Sequence, residues 1–295
     1  MSHSAQLEAA ADEQISVNPY LWWQVSVVVL LTLRLCSSVL VRLDVQWSSD
    51  ANFSHGLLVP AFSVLVLWRN RECLRKLIPK SRSRGLWIMF GALCMVVVGI
   101  LGSELFLSLV SFVLMLASVV VLFWGWDQLR IVRFPVLFLL LMIPLPAIVF
   151  NQLTFPLQIL ASKLAAAALP LLGISVLREG NIINLAAMSL EVPDACSGIR
   201  SLFSLITLAI IGGYTIRERR ELWALSILAA VPVAVFANAL RIIGAGLLAQ
   251  HWNANKAEGF FHTFSGWLVF LVSLGILIWL WQNLLSLWVP SGARS

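Results

Sequence analysis

The stretch Asp194-Ala195-Cys196-Ser197-Gly198-Ile199-Arg200 sets a thiol among polar residues at the head of a long apolar run. A thiol does chemistry as the thiolate, which the free amide groups and positive dipole end of a helix N-terminus favour, as do neighbouring cations. Asp194 follows Pro193 and is a natural N-cap, which puts Cys196 in the first helical turn. Arg200, four residues on, then shares its face. With Ser197 as the cap instead, that geometry weakens. Free cysteines are more often small buried residues, and that reading fits Cys36, Cys94 and Cys73, the first two in apolar runs and the third among arginines. The four cysteines have neither metal-ligand spacing nor a paired look, so no metal, disulfide framework or cofactor is expected.

Two further segments carry polar groups within apolar surroundings. Asn238 and Arg241 lie three apart and so on one helix face, about nineteen residues into their run, roughly 28 Å along at the helical rise. An arginine there is costly unless it faces a polar cavity or partner, although a snorkelling anchor at the interface is the plainer alternative. His262 opens the last apolar run, and its imidazole suits proton transfer near neutral pH, though a lone interfacial histidine is more often structural. His55, in Phe53-Ser54-His55-Gly56, stands at the same expected depth, as a cavity residue or as a hydrogen-bonded cap. Cys, Arg and His from three separate segments arriving at one depth weigh more than any one of them.

These residues must be positioned by helices in a bilayer. The chain of 295 residues is 60% hydrophobic and only 12% charged, with a mean hydropathy of +0.92; a soluble domain has about 45–50% apolar and 25% charged residues. A span needs about 20 apolar residues, and runs at 21–41, 53–68, 86–101, 105–124, 134–150, 199–216, 222–249 and 260–287 predict an all-α, polytopic helical bundle of about eight spans. The net charge of +6 sits mostly in short loops, where it sets orientation, so nucleic acid is not an expected partner. Arg69 to Arg84, Arg130 with Arg133, and Arg217 to Arg220 mark the cytoplasmic side, which places both chain ends inside and the Cys196, Arg241 and His262 level outside. Arg34, in the first run, is expected to pair with a polar group inside the bundle.

The polar residues 1–18 lack the basic start and cleavage site of a signal peptide, so the first apolar run is expected to be kept. The expected organisation is a cytoplasmic segment at 1–20, one membrane-embedded domain at 21–288 and a cytoplasmic tail at 289–295. Residues 154–176 are apolar enough to span. Thr154, Gln158 and Ser162 recur every fourth residue beside Lys163, however, and this predicts a helix lying at the interface before the Cys segment. Pro144, Pro146, Pro170 and Gly173 predict kinks or helix ends. Arg178-Glu179-Gly180-Asn181 reads as a turn, with 182–192 extended or briefly helical beyond it.

The ordered set Phe53-Ser54-His55-Gly56-Leu57-Leu58-Val59-Pro60, Arg178-Glu179-Gly180-Asn181, Ala195-Cys196-Ser197-Gly198-Ile199-Arg200, Asn238-Ala239-Leu240-Arg241-Ile242 and His262 with Gly266-Trp267 resembles the exosortases, bacterial members of the exosortase and archaeosortase family. The resemblance implies a membrane-embedded cysteine endopeptidase or transpeptidase of the bacterial cytoplasmic membrane. Its substrates would be exported proteins with a C-terminal Pro-Glu-Pro motif, a transmembrane helix and a basic end, in systems associated with exopolysaccharide. It also implies Cys196, Arg241 and His262 as the catalytic set, with Arg200, Asn238 and His55 in support. Two other classes fit intramembrane polar residues: a transporter or flippase, disfavoured by the lack of a broken-helix pair or repeat symmetry in the sequence, and a non-catalytic assembly subunit for polysaccharide export.

Overall fold

Apolar runs become helices here, some continuing past an internal proline, as at Pro156 and Pro232, and others broken at one. The computed structural model describes residues 19–75, 83–185, 189–191, 198–216, 220–251 and 254–288. The helices are α1 (Pro19–Leu35), α2 (Ser37–Ser49), α3 (Leu58–Arg69), α4 (Arg71–Arg75), α5 (Arg84–Leu101), α6 (Leu105–Trp124), α7 (Trp126–Phe138), α8 (Ala147–Ala168), α9 (Ile199–Ile216), α10 (Arg220–His251) and α11 (Ala254–Trp288). Three short strands, β1 (Val176–Glu179), β2 (Ile182–Leu185) and β3 (Ser189–Glu191), lie between α8 and α9. The chain is thus a polytopic helical protein with one small sheet. Its contacts divide it into two compact units, Met1–Gln46 with Pro60–Pro144, and Trp47–Val59 with Leu145–Ser295.

The first unit centres on the α5–α6 hairpin, closed by a tight turn in which Ser103 has a φ of 55°. Small residues let the two helices approach: a side chain at Gly85 would meet the Leu122 backbone at 2.6 Å, and one at Gly99 the Ser108 amide at 2.9 Å. The buried hydroxyls of Ser108, Ser111 and Ser118 donate to the carbonyls of Glu104, Ser108 and Met115 on their own helix, which satisfies them without water.

Several expected spans differ. The run at 21–41 is a pair, α1 and α2, bent by 61°. Ser37 donates to the Arg34 carbonyl at the bend, and Arg34 donates to the Ser37 hydroxyl at 3.2 Å. Arg34 is exposed and its partner is this local one, so the expectation of a pairing deep inside the bundle is corrected. The run at 53–68 divides into a 3-10 segment, Ala51–Leu57, and the 12-residue α3. The run at 134–150 is not one helix: α7 passes into a 3-10 turn at Leu139–Met142, Pro144 and Pro146 end it, and α8 begins at Ala147. Among the described residues, five helices are long and apolar enough to cross a membrane, or six if the bent pair counts as one span. About eight were expected. Ile199–Thr215 of α9 falls just short.

The second unit holds α8, the sheet and the α9–α11 bundle. The segment Ala147–Leu172 is 26 residues long and apolar enough to cross. Its stripe of Thr154, Gln158 and Ser162 is 1%, 4% and 0% exposed, so it faces protein, and the four-residue period no longer argues for an interfacial helix. The strands form an antiparallel sheet in the order β1-β2-β3. The β1–β2 register pairs Glu179 with Ile182 across the turn Gly180-Asn181, with Gly180 at φ 65°, the left-handed position a two-residue hairpin loop requires. Ile183 and Leu185 of β2 pack with Ala161, Ala165 and Leu169 from the α8 side and Ile242 of α10. Leu205 and Ala209 of α9, Ala230 and Ala234 of α10 and Leu277 of α11 make the second core of this unit.

Candidate functional site

Gly198 fixes how the Cys-bearing segment meets the bundle. Its φ is 74°, a conformation L side chains rarely adopt, and its carbonyl accepts the Leu202 amide at 2.9 Å to open α9. A Cβ here would stand 3.1 Å from the Asn238 Cβ, 3.3 Å from its Cγ and 3.4 Å from the Ala234 carbonyl oxygen. The backbone at 198 therefore lies directly on the Asn238 side chain of α10, which is 3% exposed. Two of the polar segments picked out in the sequence are in contact through this glycine.

One turn further along α10, Arg241 reaches the next helix. A Cβ at Gly266 of α11 would lie 3.8 Å from the guanidinium carbon of Arg241 and from Nη2, and 3.9 Å from Nη1. The guanidinium rests against the helix surface that Gly266 leaves bare. Position 262 lies one turn N-terminal to Gly266 on α11, on the same side of the helix. The α10 face that carries Asn238 and Arg241 thus touches Gly198 of the Cys-bearing segment at one end and Gly266 of the His-bearing helix at the other. Next in sequence, Ile242 is buried in the cluster that seats β2, so the sheet is anchored at the level of Arg241.

His55 is buried on the 3-10 segment Ala51–Leu57. Asp50 caps that segment by accepting the Asn52 amide at 2.9 Å. The imidazole stacks on Phe203 of α9, with centroids 5.8 Å apart and planes at 15°. Phe203 follows the half-buried Arg200 by three residues, which brings His55 to the first turns of α9. Cys196 lies at 192–197, outside the described residues, as does the side chain of His262. The left-handed Gly198 immediately precedes α9 at Ile199. Among the described residues, no group of three or more His, Cys, Asp or Glu side chains could hold a metal ion.

Residues 47–279 match the sequence model of one family, described as Transmembrane exosortase (Exosortase_EpsH). The chain belongs to the transmembrane exosortase family. No curated protein and no solved structure matches it. The exosortase match begins at residue 47, where the second unit begins, and so takes in the sheet, Gly198, the Asn238–Arg241 face and Gly266.

Sequence reasoning included Gly198 and Gly266 in its ordered set but gave them no contact role, and it left the sheet as a turn followed by an extended or briefly helical stretch. A glycine inside an apolar helix, as at 266, is the available signal, because it marks close approach of something else. Nothing in the spacing says that the approaching group is Arg241. Phe203 had no signal beyond its apolar run.

Proposed function

We propose that this exosortase is a cysteine endopeptidase or transpeptidase of the bacterial cytoplasmic membrane, with its reaction centre on the periplasmic side. It removes the C-terminal sorting tail of exported proteins, a Pro-Glu-Pro motif followed by a transmembrane helix and a basic end. The observation that most supports this reading is the α10 face: Asn238 meets the backbone of the Cys-bearing segment at Gly198, and Arg241 meets the His-bearing helix at Gly266.

The Cys196 thiolate attacks the carbonyl carbon of the scissile peptide, forming a carbon–sulfur bond and a tetrahedral oxyanion. Arg241 stabilises that oxyanion or the thiolate. Collapse breaks the carbon–nitrogen bond as His262 gives its proton to the leaving amine, which departs with the tail helix. A thioester to Cys196 is left. Neutral His262 then takes the proton of an incoming nucleophile, whose attack expels the thiolate. Water yields proteolysis, and an amine or sugar-linked acceptor yields transfer. Arg200 supports the thiolate or holds the motif's carboxylate in a forked contact, and Asn238 and His55 support the substrate side of the pocket.

The test is mass spectrometry of a tailed protein co-expressed with the wild-type enzyme or with Cys196→Ala. The wild type should release the tail and the variant should leave it intact. Processing that persists in Cys196→Ala rejects the protease reading, whereas a transport or assembly role would survive the substitution.

A further inference from the structure

The Gly180 carbonyl, at the turn between β1 and β2, is where the sheet is tied to α8. A carbonyl oxygen has two lone pairs, and here two donors reach it: Nη1 of Arg178 at 2.5 Å, and the hydroxyl of Ser162 of α8 at 3.1 Å. The Ser162 hydroxyl also lies 3.0 Å from the Ile159 carbonyl on its own helix, so its single proton is shared. Ser162 is fully buried. Further along the same hairpin, Ile183 and Leu185 pack with Ala161 and Ala165 of α8 and Ile242 of α10. Register carries this anchorage across the sheet, with Ile183 opposite Leu190 and Ile182 opposite Glu191 on β3. Cys196 follows Glu191 by five residues and precedes Gly198 by two. The sheet that precedes the thiol in sequence is tied to α8 at Gly180, and Gly198, which follows it, lies on Asn238.

We infer that Ser162 and Arg178 are positioning residues: through their shared acceptor they hold the sheet in the place and register that bring Cys196 to the Arg241 level of α10. This rests on the proposed role of Cys196 as nucleophile. Neither residue touches substrate; each acts through the strands. Because Ser162 is buried and Arg178 has its own strand position, the two donors sharing one acceptor should be energetically coupled.

The experiment uses full-length enzyme in membranes with Ser162→Ala, Arg178→Ala, Arg178→Lys and the double variant that combines Ser162→Ala with Arg178→Ala. Two readouts are taken: tail-cleavage kinetics, and the rate at which iodoacetamide alkylates Cys196, followed on the Cys196 peptide by mass spectrometry so that Cys73 and Cys94 do not interfere. Loss of one such hydrogen bond should change the alkylation rate and lower kcat by about two- to tenfold with KM held, and the double variant should fall short of the product of the single effects. Arg178→Lys keeps the charge and should retain more activity than Arg178→Ala. Equal alkylation rates and equal kcat in wild type and all variants at matched membrane levels would overturn the positioning role. Wild-type enzyme that cleaves no tail would reject the protease reading instead, and the alkylation rates would still decide whether the sheet controls Cys196.

Discussion

Gly198 is restricted to glycine for two separate reasons, a φ of 74° and a Cβ position 3.1 Å from Asn238. Forcing an L side chain into that conformation costs roughly 1–2 kcal/mol, and Asn238 would have to give way as well. We therefore predict that Gly198→Ala lowers the unfolding midpoint in detergent and slows tail processing by more than the stability loss accounts for, because the segment carrying Cys196 shifts against α10. Arg241 provides the complementary case. Lysine keeps the charge there but not the planar fork of donors that lies against Gly266, so Arg241→Lys should cost about 10²- to 10³-fold in kcat. The check is processing rate at equal enzyme level, and a near wild-type rate would remove Arg241 from the oxyanion role. The shared helix face of Asn238 and Arg241 was legible in the sequence by its spacing of three. The glycines that seat them were not, because a missing side chain gives no sign of which neighbour occupies the space.

At the scale of elements, α8 shows what periodicity can and cannot tell. Thr154, Gln158 and Ser162 share a face, as their spacing requires, but a shared polar face suits lipid headgroups and a protein interior equally well. The partner chosen is protein: all three are buried, and Ser162 reaches the Gly180 carbonyl of the sheet. The proline breaks at 144 and 146 were readable from residue type alone. The extended strands before Cys196 were half readable, since Gly180-Asn181 announced the turn while four-residue strands carry too few alternations to fix a period. With its polar stripe covered, the segment Ala147–Leu172 should cross the bilayer, being roughly 39 Å long against a hydrocarbon core of about 30 Å. Ile148 and Leu171 near its two ends are both well exposed. Cysteines placed there singly, in enzyme cleared of its other cysteines, should react with an impermeant maleimide from opposite sides of oriented vesicles. Labelling of both from one side would restore the interfacial arrangement.

At the scale of the whole molecule, the two compact units use glycine for different ends, and this separates stability from chemistry. In the first unit, Gly99 lets α5 pack on α6 so closely that a Cβ would sit 2.9 Å from the Ser108 amide, a distance real Cβ atoms do not tolerate. Overpacking of that kind typically costs about 1–3 kcal/mol; the Ser108 hydroxyl at the contact can turn aside, but the backbone amide behind it cannot. In the second unit, the nearest described atoms to a Cβ at Gly266 are those of the Arg241 guanidinium at 3.8–3.9 Å, an ordinary contact distance. A methyl group fits there, but a longer side chain would occupy the place of the guanidinium. Gly99→Leu should therefore reduce the amount of folded enzyme in the membrane, with processing falling only in proportion. Gly266→Ala should behave as wild type, and Gly266→Leu should abolish most processing at an unchanged enzyme level. Enzyme level by immunoblot and tail release by mass spectrometry distinguish the two outcomes. If Gly266→Leu instead lost folded protein and kept its specific activity, the Arg241–Gly266 contact would be a packing feature and the catalytic face of α10 would have to be drawn without it.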